Sequence, residues 1–228
     1  MTHYDFIEIG TADFDTICQS SPDSQIGLVV EPVETYINRL PNKPTVKKIC
    51  GALVTSAQLF ENTTIDVFYV IWDIIVKHNL GAWMRGCNSV GKPHDFHLGY
   101  FPDPEQWHRD PRRSELPSRN LLDEGLVTQN TVRCISWGML MDENNIDTVD
   151  LLKTDTEGMD CDLLIDIMAE YTKRGLLSKL PNKIVFEATA HTNYSRLVVV
   201  KKVLADLGYR VQQGHPDYGT DMYAELQR

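Results

Sequence analysis

The 228-residue chain reads as an α/β protein built on a mostly parallel sheet with helices on both faces. Three observations predict this. Short β-branched runs alternate with helical patterns toward both ends of the sequence. The runs are nearly continuous in apolar character, as strands covered on both faces must be. The last thirty or so residues run helix, strand, turn, strand, which places an antiparallel pair at one edge of the sheet.

The elements follow in order. Residues 6–9 (FIEI) are a short apolar run that stops at Gly10, a strand entering a turn. Residues 13–20 support a short helix, broken by SSPDS. Residues 26–30 give a second strand, closed by Glu31-Pro32. Tyr36, Ile37 and Leu40 mark a helix over 33–40 that Pro41 stops, and residues 46–54 contain a third strand. Residues 64–75 (TIDVFYVIWDII) read as apolar and β-rich. In the last third, residues 149–153 form a strand that runs into TDTEGMD. Leu164, Ile167, Met168 and Tyr171 then recur at helical spacing. Residues 183–186 are a strand after the turn Pro181-Asn182. Leu197, Val200, Leu204 and Leu207 mark a helix that Gly208 ends, and residues 209–211 and 221–226 are the closing strands.

One domain over residues 1–228 is expected, because a single core can grow to about 250 residues before splitting. Residues 86–120 hold Gly86, Gly91, Gly99 and five of the eleven prolines. A long acceptor or lid insertion at about 80–125 is therefore expected, since long loops within a compact domain serve as lids or binding segments.

Composition narrows the function. With 22 Lys and Arg against 32 Asp and Glu the net charge is −10, which argues against wrapping a nucleic-acid backbone. A run of about 20 apolar residues is absent, so no membrane span is expected. Residues 1–10 lack the basic and apolar regions of a secretory signal. Cys18, Cys50, Cys87, Cys134 and Cys161 are scattered with no C-x-x-C pair, the pattern of reduced thiols in a cytoplasmic protein and not of a cysteine-built zinc site.

Two constellations carry the chemistry. The first is Glu8-Ile9-Gly10 with Glu31-Pro32. A Gly after the first parallel strand admits a ligand close to the backbone, and an acid about 20 residues on can hold ribose hydroxyls. The glycines of a dinucleotide fingerprint are missing, since Ala12 and Asp15 stand in their places, so no pyrophosphate loop is formed. An acid two residues before Gly10 suits a cationic ligand instead, such as S-adenosylmethionine. A strand-to-helix Gly and a surface Glu would leave the same trace. The second constellation is LLKTDTEGMD at 151–160. In an extended segment Asp155 and Glu157 point to one side at the carboxyl end of a buried strand, beside Lys153, where crowded carboxylates are placed for general-base work. Asp160 or Glu157 can equally cap the helix that follows.

The segments FIEIGTADFDT, GLVVEPVETYINRL, VDLLKTDTEGMDCDLL and KIVFEA resemble, in order and spacing, the FkbM-type methyltransferases of the class I S-adenosylmethionine-dependent superfamily. The element LLK-x-D-x-EG is the characteristic part. The resemblance spans residues 6 to about 187 and leaves the middle region unmatched. It implies a Rossmann-like class I methyltransferase fold with a seven-stranded sheet, S-adenosyl-L-methionine as cofactor, and O-methylation of a sugar or another polar hydroxyl. The chain departs from the family's usual Asp, Asn and Gly at Glu8, Ala12 and Phe14. Candidate cofactor contacts are then Glu8, Gly10, Thr11, Ala12, Asp13, Phe14, Glu31, Pro32, Ala52 and Leu53. Asp155 and Glu157 would line the methyl-transfer site.

The acceptor, a small molecule or a glycan, is expected to meet Arg85, Asn88, Lys92 and His94 on the middle segment, with Lys153 and Glu187 at the strand ends. Polar and aromatic side chains on a loop over a sheet are what a sugar site needs. His191, after the strand at 183–186, is a further candidate base. His94 and His97 with Asp155 could in principle hold a divalent ion, but two histidines on a Pro-rich loop do not make a metal site, and none is assigned. A methyltransferase acting on RNA or protein, supported only by Arg109, Arg112, Arg113 and Arg119, and a non-catalytic binding domain are the competing readings.

Overall fold

A computed structural model describes residues 1–14, 16–99, 120–188, 194–215 and 219–227. The chain divides into two compact units, Met1–Thr63 with Arg133–Arg228, and Thr64–Val132.

The first unit carries the large sheet. In chain order its elements are β1 (Thr2–Ile9), α1 (Ile17–Ser20), β2 (Gly27–Glu31), α2 (Glu34–Ile37), β3 (Val46–Cys50), β4 (Ala52–Leu53) and α3 (Ser56–Glu61). The second unit then contributes β5 (Thr64–Tyr69), α4 (Trp72–Lys77), β6 (Ser89–Val90) and the start of β7 (Thr128–Ile135). The chain continues through α5 (Trp137–Asn144), β8 (Ile146–Thr154), α6 (Asp160–Lys173), β9 (Lys183–Phe186), α7 (Tyr194–Asp206), β10 (Tyr209–His215) and β11 (Gly219–Leu226).

Seven strands form the sheet in the order β10-β11-β9-β8-β1-β2-β3. The pairs among β3, β2, β1, β8 and β9 are parallel, and β11 is antiparallel to both of its neighbours. The expected edge pair is therefore present. β1 lies in the middle, with Ile7 opposite Leu28 of β2 and Leu152 of β8. The chain builds outward on one side of β1 (β2, β3) and then on the other (β8, β9). Such a reversal of order opens a crevice at the carboxyl ends of the two strands where it occurs, here β1 and β8.

Both faces are covered. Ile7, Ile9, Leu28, Val30 and Leu152 join Leu140, Leu164, Ile167 and Tyr171 from α5 and α6, with Val200 and Leu204 from α7, in one core. On the other face Phe6 and Val29 pack with Cys18, Ile37 and Leu40. Alternation along β1 and β2 divides the apolar residues between the two layers. At about 1.5–3 kcal/mol per buried aliphatic or Phe side chain, these layers dominate the stability of the unit.

Several boundaries differ from the sequence expectation. The helix expected at 13–20 is only Ile17–Ser20, because Ala12 adopts φ +45° and Thr16 caps the helix from outside through a capping box with Gln19. The helix expected at 33–40 is one turn, Glu34–Ile37, yet Tyr36, Ile37 and Leu40 are all buried as their spacing implies. The run at 64–75 is a strand only to Tyr69, and Trp72–Lys77 is a helix, since apolar runs this short carry no decisive period. Strand β7 and helix α5 had no counterpart in the sequence reading.

Within the second unit, β5 and β6 pair antiparallel through Val67 and Val90. Asp66 of β5 accepts hydrogen bonds from Thr131 at 2.7 Å and Gln129 at 2.9 Å on β7. Val70, Ile75, Met84, Phe96 and Leu121 form its core. The segment expected to be loop holds short 3-10 turns at Ala82–Arg85 and Asp95–Leu98. Among the described residues, no helix is long and apolar enough to cross a membrane.

Candidate functional site

The carboxyl ends of β1, β2, β8 and β9 place four short segments along one sheet edge. Gly10 ends β1 at φ +77°, donating its N–H to Val30 O at 3.0 Å. Asp155 N–H in turn bonds Ile9 O at 2.9 Å. The two backbones come so close that a Cβ on Gly10 would stand 1.9 Å from the Asp155 carbonyl oxygen. Only glycine fits there, for lack of a side chain and for its positive φ.

Glu31, at the end of β2, is 1% exposed. Its two oxygens accept hydrogen bonds at 2.8 Å from Ala12 N–H and at 2.8 Å from Val33 N–H. It therefore ties the turn after β1 to the turn after β2. Burial pushes its carboxyl up to about 7, against the backbone donors of Val33, Ala12 and Thr11, which pull it down. Thr11 is buried with its hydroxyl on Ala12 O, and Asp13 pairs with Arg39 at 3.1 Å. Phe14 and Pro32 are half-buried on the same turns, and Ala52 and Leu53 are buried in β4.

Glu8 is fully buried and faces the sheet's other layer. Its carboxylate accepts from the N–H groups of Ile17 (2.9 Å) and Cys18 (3.3 Å), donors at the start of α1 that have no acceptor within the helix. Burial raises its carboxyl, while Lys153 and these donors oppose the rise. Lys153 Nζ lies 3.3 Å from Glu8 and 3.7 Å from Asp155. Desolvation works to lower the ammonium, but Glu8, Asp155 and Asp221 together outweigh it and keep Lys153 charged. Lys153, expected to meet an acceptor, is thus the cation that joins two acids of the site.

Beyond Thr154 the chain leaves the strand. Glu157 sits at φ +52° and Gly158 at φ +104°, so the expected extended alternation of Asp155 and Glu157 is absent. Asp160 explains why. Buried at the start of α6, it accepts from Thr156 N–H at 3.2 Å and from the Thr156 hydroxyl at 3.0 Å, which curls TDTEG back on itself. Burial and then the charge of Asp155 raise the Asp160 carboxyl to about 6. The expected capping of the following helix by Asp160 or Glu157 is absent, since Met159 holds the cap position of α6 with no side-chain hydrogen bond, and Asp160 closes the preceding loop instead.

The curl brings Asp155 and Glu157 together by another route, and with them Glu187 beyond β9. One carboxylate oxygen from each lies within 4.8 Å of the others. Burial raises the Asp155 carboxyl, with Lys153 opposing. These three acids, beside an ammonium that Glu8 also shares, form an anionic lip at the carboxyl ends of β8 and β9. His191 lies outside the described residues, as do Arg109, Arg112, Arg113 and Arg119.

The remaining acceptor candidates belong to the second unit. Arg85 stacks over Trp72 with its guanidinium 5.1 Å from the ring centre. Asn88 donates to Arg85 O at 3.0 Å, and Lys92 is exposed. His94 and His97 cap the turn they flank: His94 Nδ1 accepts Phe96 N–H at 3.1 Å, and His97 Nδ1 accepts His94 N–H at 3.2 Å. Burial lowers their rings to about 4 and about 3. Their acceptor nitrogens are engaged in this local turn.

Comparison of the chain with models of known protein families gives no match, and the curated proteins contain no match to it.

Proposed function

We propose that this chain is an S-adenosylmethionine-dependent O-methyltransferase of the FkbM type, acting on a hydroxyl of a sugar or a similarly polar acceptor, on a Rossmann-like class I methyltransferase domain. The observation that carries the reading is the anionic lip of Asp155, Glu157 and Glu187 at the point where strand order reverses, with Glu31 on the neighbouring turn. A crevice so placed is where α/β sheets take their ligands. Its charge suits a ligand with a sulfonium and an ammonium group and disfavours a pyrophosphate. The close approach of Gly10 to Asp155 supports the same reading, since it leaves backbone and not side chain at the crevice floor.

The cofactor supplies an activated methyl group on a positive sulfur. The residues present fit it by charge and by donor set. Glu31 accepts from the backbone N–H groups of Ala12, Val33 and Thr11, and the remaining lone pair of its carboxylate would serve a ribose hydroxyl. Asp155 and Glu157 are placed to orient the acceptor hydroxyl and to take its proton as the oxygen attacks. Lys153, held by Glu8, keeps Asp155 in place and limits how far its carboxyl rises. Because the donor is already activated, alignment and proton removal are what the protein must contribute.

Calorimetric titration tests the reading. S-adenosylmethionine should bind with one site per chain, and NAD should not. Binding of NAD without binding of S-adenosylmethionine would overturn it. Mass spectrometry of glycans from cells with and without the gene then identifies the methylated hydroxyl.

A further inference from the structure

At the opposite edge of the sheet, where β1 and β8 begin, His3, Asp5 and Asp150 converge. His3 and Asp5 share one face of β1 by their spacing of two, and Thr148 and Asp150 share one face of the parallel neighbour β8, with His3 opposite Thr148 in register. His3 Nε2 lies 3.4 Å from Asp150 Oδ2 and 3.8 Å from Asp5 Oδ1, and the three ligand-type atoms fall within 4.8 Å of one another.

Each of the three side chains is oriented from outside the group. His3 Nδ1 is 2.8 Å from the Thr148 hydroxyl. The second oxygen of Asp5 accepts Ile26 N–H at 2.7 Å, and the second oxygen of Asp150 accepts from Asn182 Nδ2 at 2.7 Å. In the tautomer in which Nδ1 donates to Thr148, the Nε2 lone pair and two carboxylate oxygens converge on one point, the arrangement a shared cation requires. Metal-ligating histidines and carboxylates are held in this way, one atom on the metal and the other on a partner behind it.

We propose that His3, Asp5 and Asp150 bind one divalent transition cation of the zinc class. Two ligand atoms about 2.1 Å from a shared zinc are about 3.0–3.5 Å apart, so the His3 contacts at 3.4 and 3.8 Å need shifts of less than about 1 Å, and the two carboxylate oxygens, within 4.8 Å of each other, draw in by no more than about 1.8 Å. One imidazole and two carboxylates form a mixed nitrogen and oxygen set, which favours zinc, cobalt or nickel over magnesium or calcium. The side chains are 48%, 31% and 48% exposed, so water completes the coordination. The bound ion ties the start of β1 to the start of β8, at the edge away from the anionic lip.

Titration of the full chain with zinc chloride at neutral pH should show uptake of one ion and a rise in melting temperature. His3→Ala and Asp150→Asn should each weaken that uptake at least tenfold and abolish the rise. Thr148→Val should weaken it about tenfold, as loss of an outer partner does. The cobalt form should show d–d bands without thiolate charge-transfer absorption, which separates this site from Cys50. Glu187→Gln should leave zinc uptake unchanged. Absence of zinc uptake by the native chain overturns the proposal. So does uptake that survives in both His3→Ala and Asp150→Asn, or that is lost only in Glu187→Gln.

Discussion

Replacing Glu31 with Gln sets two opposed forces against each other. Burial favours the neutral carboxyl, and three backbone donors favour the carboxylate; the balance stands at about 7 against an ordinary 4.5. Between those values the folded chain retains a proton that the unfolded chain has lost. The resulting stability is fully present below about pH 4.5 and is lost as the pH rises through about 7. By linkage the native protein loses about 2.5 kcal/mol from this one group between about pH 5 and about pH 8. The variant carries no titrating group there, so its stability lacks that component. Asp160, raised to about 6, titrates in both proteins and cancels in their difference. Urea unfolding of both proteins across this range should show the native advantage shrinking by about 2.5 kcal/mol toward high pH, with equal denaturant slopes. A native advantage that stays flat, or grows with pH, would mean that the N–H groups of Ala12, Val33 and Thr11 outweigh burial, and would refute the reasoning.

Three further outcomes follow from the same geometry. Gly10→Ala should destabilise the fold by about 3 kcal/mol or more, since its Cβ meets the Asp155 carbonyl and its φ is positive; an unchanged melting temperature would show that the two turns can part freely. Asp155→Asn or Glu157→Gln should slow single-turnover methylation about 10²–10⁴-fold if that residue is the base, and a loss of about 1 kcal/mol of stability at normal rate would mark a structural role instead. The rings of His94 and His97 should stay neutral above about pH 5, so their NMR shifts should not titrate near the ordinary value of about 6.5.

Much of the framework was legible in the sequence because its causes are local. Residues 6–9, 26–30 and 149–153 are mainly apolar runs, broken only by Glu8, Asp150 and Lys153 among charged residues, as strands covered by two layers require, and residues 183–186 mark β9 to the residue. The spacing of Leu164, Ile167, Met168 and Tyr171 identified the buried face of α6, and Gly208 does end the last helix region, at φ +91°. Helix α1 came out shorter because a capping box and a left-handed residue, which apolar spacing does not register, set its start. β7 escaped notice because most of its residues before Cys134 are exposed or half-buried and polar, leaving no apolar run to read.

The site was legible only in part. Acids at the ends of strands could be picked out one strand at a time, since a strand followed by a turn shows in the chain itself. What the tertiary structure decided was their company: Glu8 with the start of α1, Glu31 with Ala12, Lys153 with both Glu8 and Asp155, and Glu187 with Asp155 and Glu157. The same holds for His3 and Asp150 at the far edge. Neighbouring parallel strands are joined by long crossovers, so residues that meet at a sheet edge lie tens to more than a hundred positions apart in sequence. Strand order and register, which are fixed by how the two apolar faces of the sheet are buried, bring them together, and no local spacing encodes that distance.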